Sequence, residues 1–303
     1  MATASTRVSI APALSGIGIS RALIRDRAPM PAGPRRVGTP LSPAHEAAQL
    51  SDWDLALGSI RRIWHSDARK IRLNREPLMS WKTRNRSFYY QGAPEPEDLV
   101  LPPAETALLC IDVQNYGMVL HDDPAERARW APFHERMRGT VIPTLRKLQD
   151  RFRAKGIDVM HARIACLLED GRDRSLSQKM PGWNNLLMPL TSEASQIVPE
   201  LVPKPGEIVV TKTTDSALTG TNLRLVLSNM GIRNVVVAGI YTDQCVSSTV
   251  RSLADESFNV VLVEDCCAAG TDELHQHELE IINMIYCHVV TSDELRAIMG
   301  LDG

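Results

Sequence analysis

The chain has 303 residues, enough for one sizeable α/β domain with an appendage. Its formal net charge of −2 gives no reason to expect nucleic acid or an anionic membrane surface as a partner, and no apolar run approaches the ~20 residues of a membrane span. The six cysteines show neither a disulfide framework nor a metal-ligand spacing. We therefore expect free thiols in a reducing compartment, the cytoplasm.

The first 44 residues differ in composition from the rest of the chain. Residues 1–40 contain six arginines and one acidic residue, Asp26, together with many small residues and prolines. This composition is typical of a mitochondrial or plastid transit peptide, and equally of an unstructured tail. In either case we expect residues 1–44 to form a leader that carries no chemistry.

Residues 45–97 are interpreted as an N-terminal arm, partly helical and partly extended. Apolar residues recur at spacings of three or four between positions 45 and 65, which predicts one or two amphipathic helices. The basic and aromatic residues that follow can mark nucleic-acid binding, but the segment is short and the chain as a whole is not basic. We expect the arm to pack on the next domain or on a partner subunit. A proline-rich stretch then leads into the main domain, residues 98–303.

The main domain alternates short apolar runs with helical patterns, which predicts a parallel sheet with helices on both faces. The expected fold is a Rossmann-like, three-layer α/β domain with a six-stranded parallel sheet and an N-terminal extension. The predicted strands lie near residues 106–112, 157–164, 207–211, 233–239, 259–264 and 287–291.

Three of these strands end in residues with chemical potential. Asp112 ends the first strand, Lys212 follows a β-branched run, and Cys245 lies where a buried strand passes into a helix. Free N–H groups and the positive end of a helix dipole at that junction favour a thiolate and can hold an oxyanion. Singly, each residue has an ordinary alternative as a cap, a solvated charge or packing. Together, at one sheet edge, they predict a nucleophilic site.

The segments around these residues resemble the isochorismatase-like cysteine hydrolase superfamily, and in particular its ureidoacrylate, biuret and N-carbamoylsarcosine hydrolases. The similarity covers roughly residues 98–299 in the right order. It rests on Ile-Asp112-Val-Gln-Asn, Lys212 with Ser216 four residues later, Gly220-Thr-Asn-Leu, Gly239-Ile-Tyr-Thr-Asp-Gln-Cys245-Val, Val263-Glu-Asp-Cys-Cys and Val290-Thr-Ser-Asp-Glu-Leu. The resemblance implies an Asp112–Lys212–Cys245 catalytic triad, a cis peptide between Ile240 and Tyr241, and a homodimer or homotetramer.

The expected function is therefore that of an amidohydrolase without a cofactor, which cleaves a C–N bond of a small amide, ureido or carbamoyl substrate through a thioester. We expect Lys212 to lower the pKa of the Cys245 thiol, Asp112 to move protons, and the backbone N–H groups of Tyr241 and Cys245 to bind the oxyanion. No metal is expected, since the Asp-x-His pattern of the nicotinamidase branch is missing between residues 158 and 166. His161 is interpreted as a packing or hydrogen-bonding histidine at the end of a strand.

Two alternatives stay open. The Gly-Ile-Tyr241 loop resembles the Gly-Val-Tyr of true isochorismatases, which cleave a vinyl ether but place glycine where this chain has Cys245. The other alternative is a catalytically degenerate binding protein.

Five side chains are candidates for substrate binding. Gln114 follows the first strand, Arg163 lies late in the second, and Tyr241 lies at the mouth of the nucleophile loop. Gln178 and Trp183 lie in or at the end of a segment, residues 171–183, that we expect to cover the active site. Four of them also have an ordinary structural explanation, which is turn capping for Gln114, an ion pair for Arg163 and surface packing for the two loop residues.

Overall fold

The computed structural model describes residues 80–302 of the chain. The predicted leader, the predicted helices between 45 and 65 and the arm as far as residue 79 lie outside the described residues. Within the described part of the chain, no helix is both long and apolar enough to cross a membrane.

A sheet of six parallel strands forms the centre of the domain, as the sequence predicts. The strand order is β5-β2-β1-β6-β7-β8, and β3 and β4 form a separate antiparallel hairpin. The strands are β1 Thr106–Ile111, β2 Asp158–Ile164, β3 Lys179–Met180, β4 Asn184–Asn185, β5 Ile208–Lys212, β6 Asn234–Ile240, β7 Asn259–Ala268 and β8 His288–Val290. Strand order reverses between β1 and β6, and in such sheets ligands bind outside the carboxyl ends of the strands at that point.

Helices cover both faces of the sheet. They are α1 Pro124–Arg136, α2 Ile142–Ala154, α3 Leu223–Asn229, α4 Ser247–Asp255, α5 Asp272–Ile282 and α6 Ser292–Met299. Two π-helical turns, Met137–Val141 and Thr242–Val246, precede α2 and α4. Short 3₁₀ turns lie at Phe88–Tyr90, Pro103–Glu105, Asn115–Met118, Glu193–Ser195 and Pro199–Leu201.

The apolar runs of β1 and β6 form central strands because both of their faces are buried. Side chains alternate between two cores. One core lies against α1, α2 and α6 and includes Leu108, Phe133 and Phe152. The other lies against α3, α4 and α5 and includes Leu109 and Leu253. The site must therefore form at the end of the sheet, where the strands leave these cores.

Local sequence signals place the helix ends correctly. Thr291 and Glu294 form the capping box expected at the start of α6, and Pro143 lies in the first turn of α2. Strand β7 is longer than predicted, because it continues through Glu264 and Asp265 to Ala268. Asp265 accepts hydrogen bonds from the backbone and the hydroxyl of Ser292, so it holds the first turn of α6.

The described part of the arm, residues 80–97, packs on this domain. Trp81 is buried, and its ring meets His288 edge-on. The Arg84 guanidinium binds both oxygens of Glu294 and lies 3.4 Å from Glu264. These contacts tie the arm to the start of α6 and to β7.

Candidate active site

Asp112 directly follows β1 and turns its carboxylate into the end of the sheet. Its backbone has a φ of +52°, a left-handed conformation that is uncommon outside glycine, and its N–H donates to Ala162 O at 2.9 Å. The side chain is almost fully buried. The chain therefore bends sharply at the position where the carboxylate is delivered.

Lys212 is the last residue of β5 and is 1 % exposed. Its Nζ lies 2.7 Å from Asp112 Oδ2, 3.4 Å from Cys245 Sγ and 3.1 Å from the carbonyl oxygen of Thr214. One ammonium thus contacts the carboxylate and the sulfur at once. Such burial is tolerated because each of its N–H bonds has a partner.

Cys245 lies on the π-helical turn between β6 and α4, and its side chain is nearly buried. The peptide bond between Ile240 and Tyr241 is cis, as expected. Thr249 donates to the carbonyl oxygen of Cys245 at 2.7 Å. The structure brings Asp112, Lys212 and Cys245 together at the carboxyl ends of three different strands.

The turn that carries Cys245 is also held from α5. Thr242 Oγ1 lies 2.7 Å from His275 Nδ1, and His275 Nε2 lies 2.9 Å from the guanidinium of Arg136. An arginine can only donate, so Nε2 accepts and Nδ1–H donates to Thr242. Burial, followed by the charge of Arg136, lowers the pKa of His275 to about 3. A neutral histidine therefore anchors the start of the nucleophile turn.

The pKa directions in the site follow from burial first and charge second. Burial, and then the charge of Asp112, raise the pKa of the Cys245 thiol well above its ordinary value, against the opposing effect of Lys212. Lys212 lowers the pKa of the Cys245 thiol as expected, but burial and Asp112 outweigh it, so the net shift is upward. Burial likewise raises the pKa of Asp112, while Asp112 and Cys245 raise the pKa of Lys212 in spite of burial.

These directions define the proton inventory of the site. A buried ammonium balances one negative charge, and the trio contains two acids, Asp112 and Cys245. The Cys245 thiol, whose pKa lies well above its ordinary value, therefore holds its proton at rest. Moving it to Asp112 leaves the net charge unchanged, which makes the transfer electrostatically feasible in a low-dielectric pocket.

Two substrate-binding candidates are engaged elsewhere. The amide of Gln114 is saturated by backbone groups, since it donates to Ile164 O and Ser195 O and accepts from Ile164 N. Its hydrogen bonds link the ends of β1 and β2. Arg163 donates to Thr211 and Gln196 and lies on the opposite face of β2 from Ala162. The structure does not bring it to the trio.

The other three candidates lie nearer to the nucleophile turn or on the covering segment. Tyr241 precedes that turn, packs against Phe133, and has a phenol pKa that burial raises. Gln178 is buried and donates to Asp215 Oδ1 at 2.8 Å. Trp183 is 60 % exposed at the tip of the β3–β4 hairpin. Of these three residues, only Gln178 binds a group that contacts the sulfur, and that group is Asp215.

Asp215 is a site residue that the sequence analysis missed. Its Oδ1 lies 3.7 Å from Cys245 Sγ. The available signal was its position three residues after Lys212, in a Thr-Thr-Asp-Ser segment that otherwise has the composition of a turn.

Metal ligands are not grouped in the described part of the chain, where no three His, Cys, Asp or Glu side chains are arranged to hold an ion. His161 is buried beside Glu207, with its Nε2 3.3 Å from Oε2, and burial lowers its pKa. Glu207 also binds Arg153, so His161 takes part in a small polar cluster at the sheet.

A comparison with family models matches residues 106–294 to the isochorismatase domain. That match spans the sheet, the trio and the capping box of α6. The chain belongs to the isochorismatase family. It is accordingly a hydrolase by family, as the resemblance of its motifs implies.

Curated members of this isochorismatase family with similar sequences include the ureidoacrylate amidohydrolase RutB of Agrobacterium fabrum. It is 28 % identical over 225 residues, which cover 68 % of this chain and 94 % of the relative. RutB of Pseudomonas syringae pv. syringae is 32 % identical over 213 residues, 66 % of this chain and 85 % of the relative. A solved isochorismatase family protein of Burkholderia thailandensis matches with a TM-score of 0.55 and 28 % identity, covering 67 % of this chain and all of that protein.

Proposed function

We propose that this hydrolase cleaves a C–N bond in a small amide, ureido or carbamoyl compound through a thioester on Cys245. The observation that carries the proposal is the double contact of Lys212 Nζ, at 2.7 Å from Asp112 and 3.4 Å from Cys245 Sγ. The relatives named as ureidoacrylate amidohydrolases support the same bond type.

Acylation begins with the neutral thiol. As Cys245 Sγ attacks the substrate carbonyl, its proton passes to the Asp112 carboxylate, which shares the Lys212 ammonium with the sulfur. The S–C bond forms, and the carbonyl electron pair becomes an oxyanion on the backbone N–H groups of Tyr241 and Cys245. When the oxyanion collapses, the C–N bond breaks and protonated Asp112 gives its proton to the leaving nitrogen.

Deacylation reverses the roles of the same groups. Asp112 takes a proton from a water that attacks the thioester, and the second tetrahedral intermediate expels the Cys245 sulfur. The proton then returns from Asp112 to sulfur. Lys212 stays an ammonium throughout and stabilises whichever acid is negative, since Asp112 and Cys245 both raise its pKa.

A panel of small amides and ureides tests the proposal by ammonia release. We expect Cys245→Ala to abolish release, and Asp112→Asn to lower it by at least a hundredfold, since general acid–base catalysis contributes about 10²–10⁴-fold. Rapid acid quenching followed by mass spectrometry should find the acyl group on the Cys245 peptide. Ammonia release by Cys245→Ala at the rate of the parent enzyme would contradict the proposal.

Vinyl-ether hydrolysis is the alternative reaction, and it is motivated by the Gly-Ile-Tyr241 loop. It is tested in the same screen. Incubation with isochorismate, followed by a pyruvate assay, separates the two reactions. Pyruvate release without ammonia from any amide would replace the proposed reaction with this one.

The cellular compartment and the oligomeric state of the enzyme are also proposals. We place the enzyme in a reducing compartment such as the cytoplasm, because all six cysteines are buried free thiols, and we expect a homodimer or homotetramer. Light scattering measures the assembly. Removing residues 1–79 and repeating the measurement tests whether that part of the arm contributes, which an unchanged mass would reject.

A further inference from the structure

Asp215 is held beside the nucleophile by contacts on both sides. The Lys212 ammonium binds the carbonyl oxygen of Thr214, so the chain after β5 wraps around that ammonium. Ser216 Oγ then donates to Ser252 Oγ at 2.9 Å, and Ala217 N donates to Thr249 Oγ1 at 3.0 Å. Both partners lie on α4, the helix that follows Cys245. The Asp215 carboxylate is thereby fixed next to the sulfur.

No cation lies within salt-bridge distance of this carboxylate among residues 80–302. The salt bridges of the described chain do not include Asp215, and Lys212 is committed to Asp112, Cys245 and Thr214. Oxygen Oδ1 accepts from Gln178 Nε2 and from the thiol, while Oδ2 has no partner among the described residues. Asp215 Oδ2 is not among the buried atoms that lack a partner, so this acceptor beside the nucleophile is open to solvent or to a substrate.

Gln178 adds a second unused acceptor. The residue is 3 % exposed, and its Oε1 is buried without a hydrogen-bond partner in the described chain. The amide cannot be turned over to use that oxygen, because Oε1 would then face the Asp215 carboxylate. A buried acceptor without a donor is destabilising in a native protein unless a ligand supplies the donor.

We propose that Asp215, supported by Gln178, is the specificity residue that accepts the N–H retained on the acyl side of a ureido substrate. This inference rests on the proposed amidohydrolase function and narrows its substrate class. A carbonyl carbon in attack position lies about 3–3.5 Å from the sulfur. The acyl-side nitrogen of a ureide is bonded directly to that carbon. Its hydrogen therefore comes within reach of the Asp215 carboxylate, whose Oδ1 lies 3.7 Å from Sγ.

Asp215, held by Gln178, thus selects ureides over simple amides and anionic vinyl ethers. A ureide presents an N–H on the acyl side of its scissile bond, whereas an amide presents CH₂ there and leaves Asp215 without that donor. Sites that lose a hydrogen-bond donor in this way discriminate strongly against the analogue that lacks it.

The test compares N-propylurea with pentanamide, which differ by one N–H against one CH₂. In Asp215→Asn the carboxylate becomes an isosteric amide that still accepts from Gln178 but presents a donor in place of Oδ2. We expect the ratio of kcat/KM for N-propylurea to that for pentanamide to fall about tenfold or more, because any effect of the substitution on the Cys245 thiol acts on both substrates and cancels in the ratio. Gln178→Met should shift the ratio in the same direction. The control is Asp170→Asn, an exposed carboxylate just before the covering segment that binds only Arg172, and it should not change the ratio.

Binding gives a readout that does not depend on turnover. Calorimetry on Cys245→Ala should yield a Kd for N-propylurea that rises about tenfold in Cys245→Ala/Asp215→Asn, with the Kd for pentanamide unchanged. Equal changes for both compounds, no change for either, or no binding of N-propylurea to Cys245→Ala would overturn the inference. If the ratio stays constant while Cys245→Ala abolishes ammonia release, the proposed function stands and only the role of Asp215 falls.

Discussion

The ammonium of Lys212 and the carboxylate of Asp112 lie 2.7 Å apart with their side chains 0 % and 6 % exposed. Removing two charges from water costs several kcal/mol for each ion, and only close contact with further hydrogen bonds offsets that cost. Thr214 and Cys245 provide those additional contacts to the ammonium. The net contribution of the ion pair to stability therefore does not explain its presence. Its position is explained by the charges that it places beside the neighbouring thiol.

Breaking this pair should destabilise the fold more than breaking an exposed one. Lys212→Met leaves a buried unpaired carboxylate, so we expect the free energy of unfolding to fall by about 3–5 kcal/mol. Lys212→Met/Asp112→Asn should recover most of that loss without recovering activity. Urea denaturation followed by circular dichroism measures both variants.

The matched control for that measurement is the surface pair of Arg224 and Glu256, whose side chains are 58 % and 42 % exposed. Arg224→Met should lower the free energy of unfolding by at most about 1 kcal/mol. Similar losses in Arg224→Met and Lys212→Met would mean that breaking the buried pair costs no more free energy of unfolding than breaking an exposed one.

The raised pKa of the Cys245 thiol predicts an unusual alkylation profile. Only thiolate reacts with iodoacetamide, so the rate at Cys245 should keep rising at pH values above the ordinary thiol pKa of about 8.5. Burial is the main cause and the charge of Asp112 the next. Asp112→Asn removes that charge and should move the profile to lower pH.

Peptide mapping by mass spectrometry separates Cys245 from the other five thiols, and free glutathione in the same tubes serves as the reference. If the Asp112→Asn profile coincides with that of the parent enzyme or lies at higher pH, the carboxylate does not hold the thiol in its neutral form.

Much of the fold was predictable because buried parallel strands are continuous apolar runs and helix ends carry side-chain caps. The run ending at Asp112 has this character, the run ending at Lys212 is an edge strand that is only partly buried, and the capping box of Thr291 and Glu294 is local in sequence. Since parallel strands align their carboxyl ends at one edge, the proximity of Asp112, Lys212 and Cys245 also follows from topology.

The rest of the site depends on quantities that a single sequence does not contain. Whether Arg163 faces the site is decided by strand register, and in the structure it is Ile164 that pairs with Lys212. The direction of the Cys245 pKa is a balance of burial against two opposite charges. The approach of Asp215 depends on how one turn folds over α4, for which no periodic pattern exists.

His275 predicts an acid sensitivity of the fold with a definite sign. The unfolded chain binds a proton on this histidine near pH 6.5, whereas the folded chain holds it neutral until about pH 3. The unfolded state therefore binds more protons between those values, and the free energy of unfolding falls as the pH drops below 6.5. The histidine should account for about 2 kcal/mol of the loss between pH 7 and pH 5, at about 1.4 kcal/mol per pH unit.

Urea denaturation at the two pH values measures this contribution as a difference between variants. His275→Gln should lose less stability than the parent on acidification, while His277→Gln, an exposed histidine on the same helix, should behave as the parent does. An identical pH dependence in all three proteins would show that His275 titrates normally.

Gly239 allows the central strands β1 and β6 to approach closely next to the nucleophile turn. Its φ is +127°, and a Cβ at this position would lie 2.0 Å from the carbonyl oxygen of Ile111. That oxygen belongs to the backbone just before Asp112 and has no freedom to move aside. Gly239→Ala should therefore lower the free energy of unfolding by about 3 kcal/mol or more and displace Asp112 from Cys245, abolishing ammonia release. The control is Gly92→Ala, where a Cβ meets nothing within 4 Å. Parallel urea denaturation and activity assays decide the matter, because a stable and active Gly239→Ala protein would be incompatible with the strand spacing at this edge.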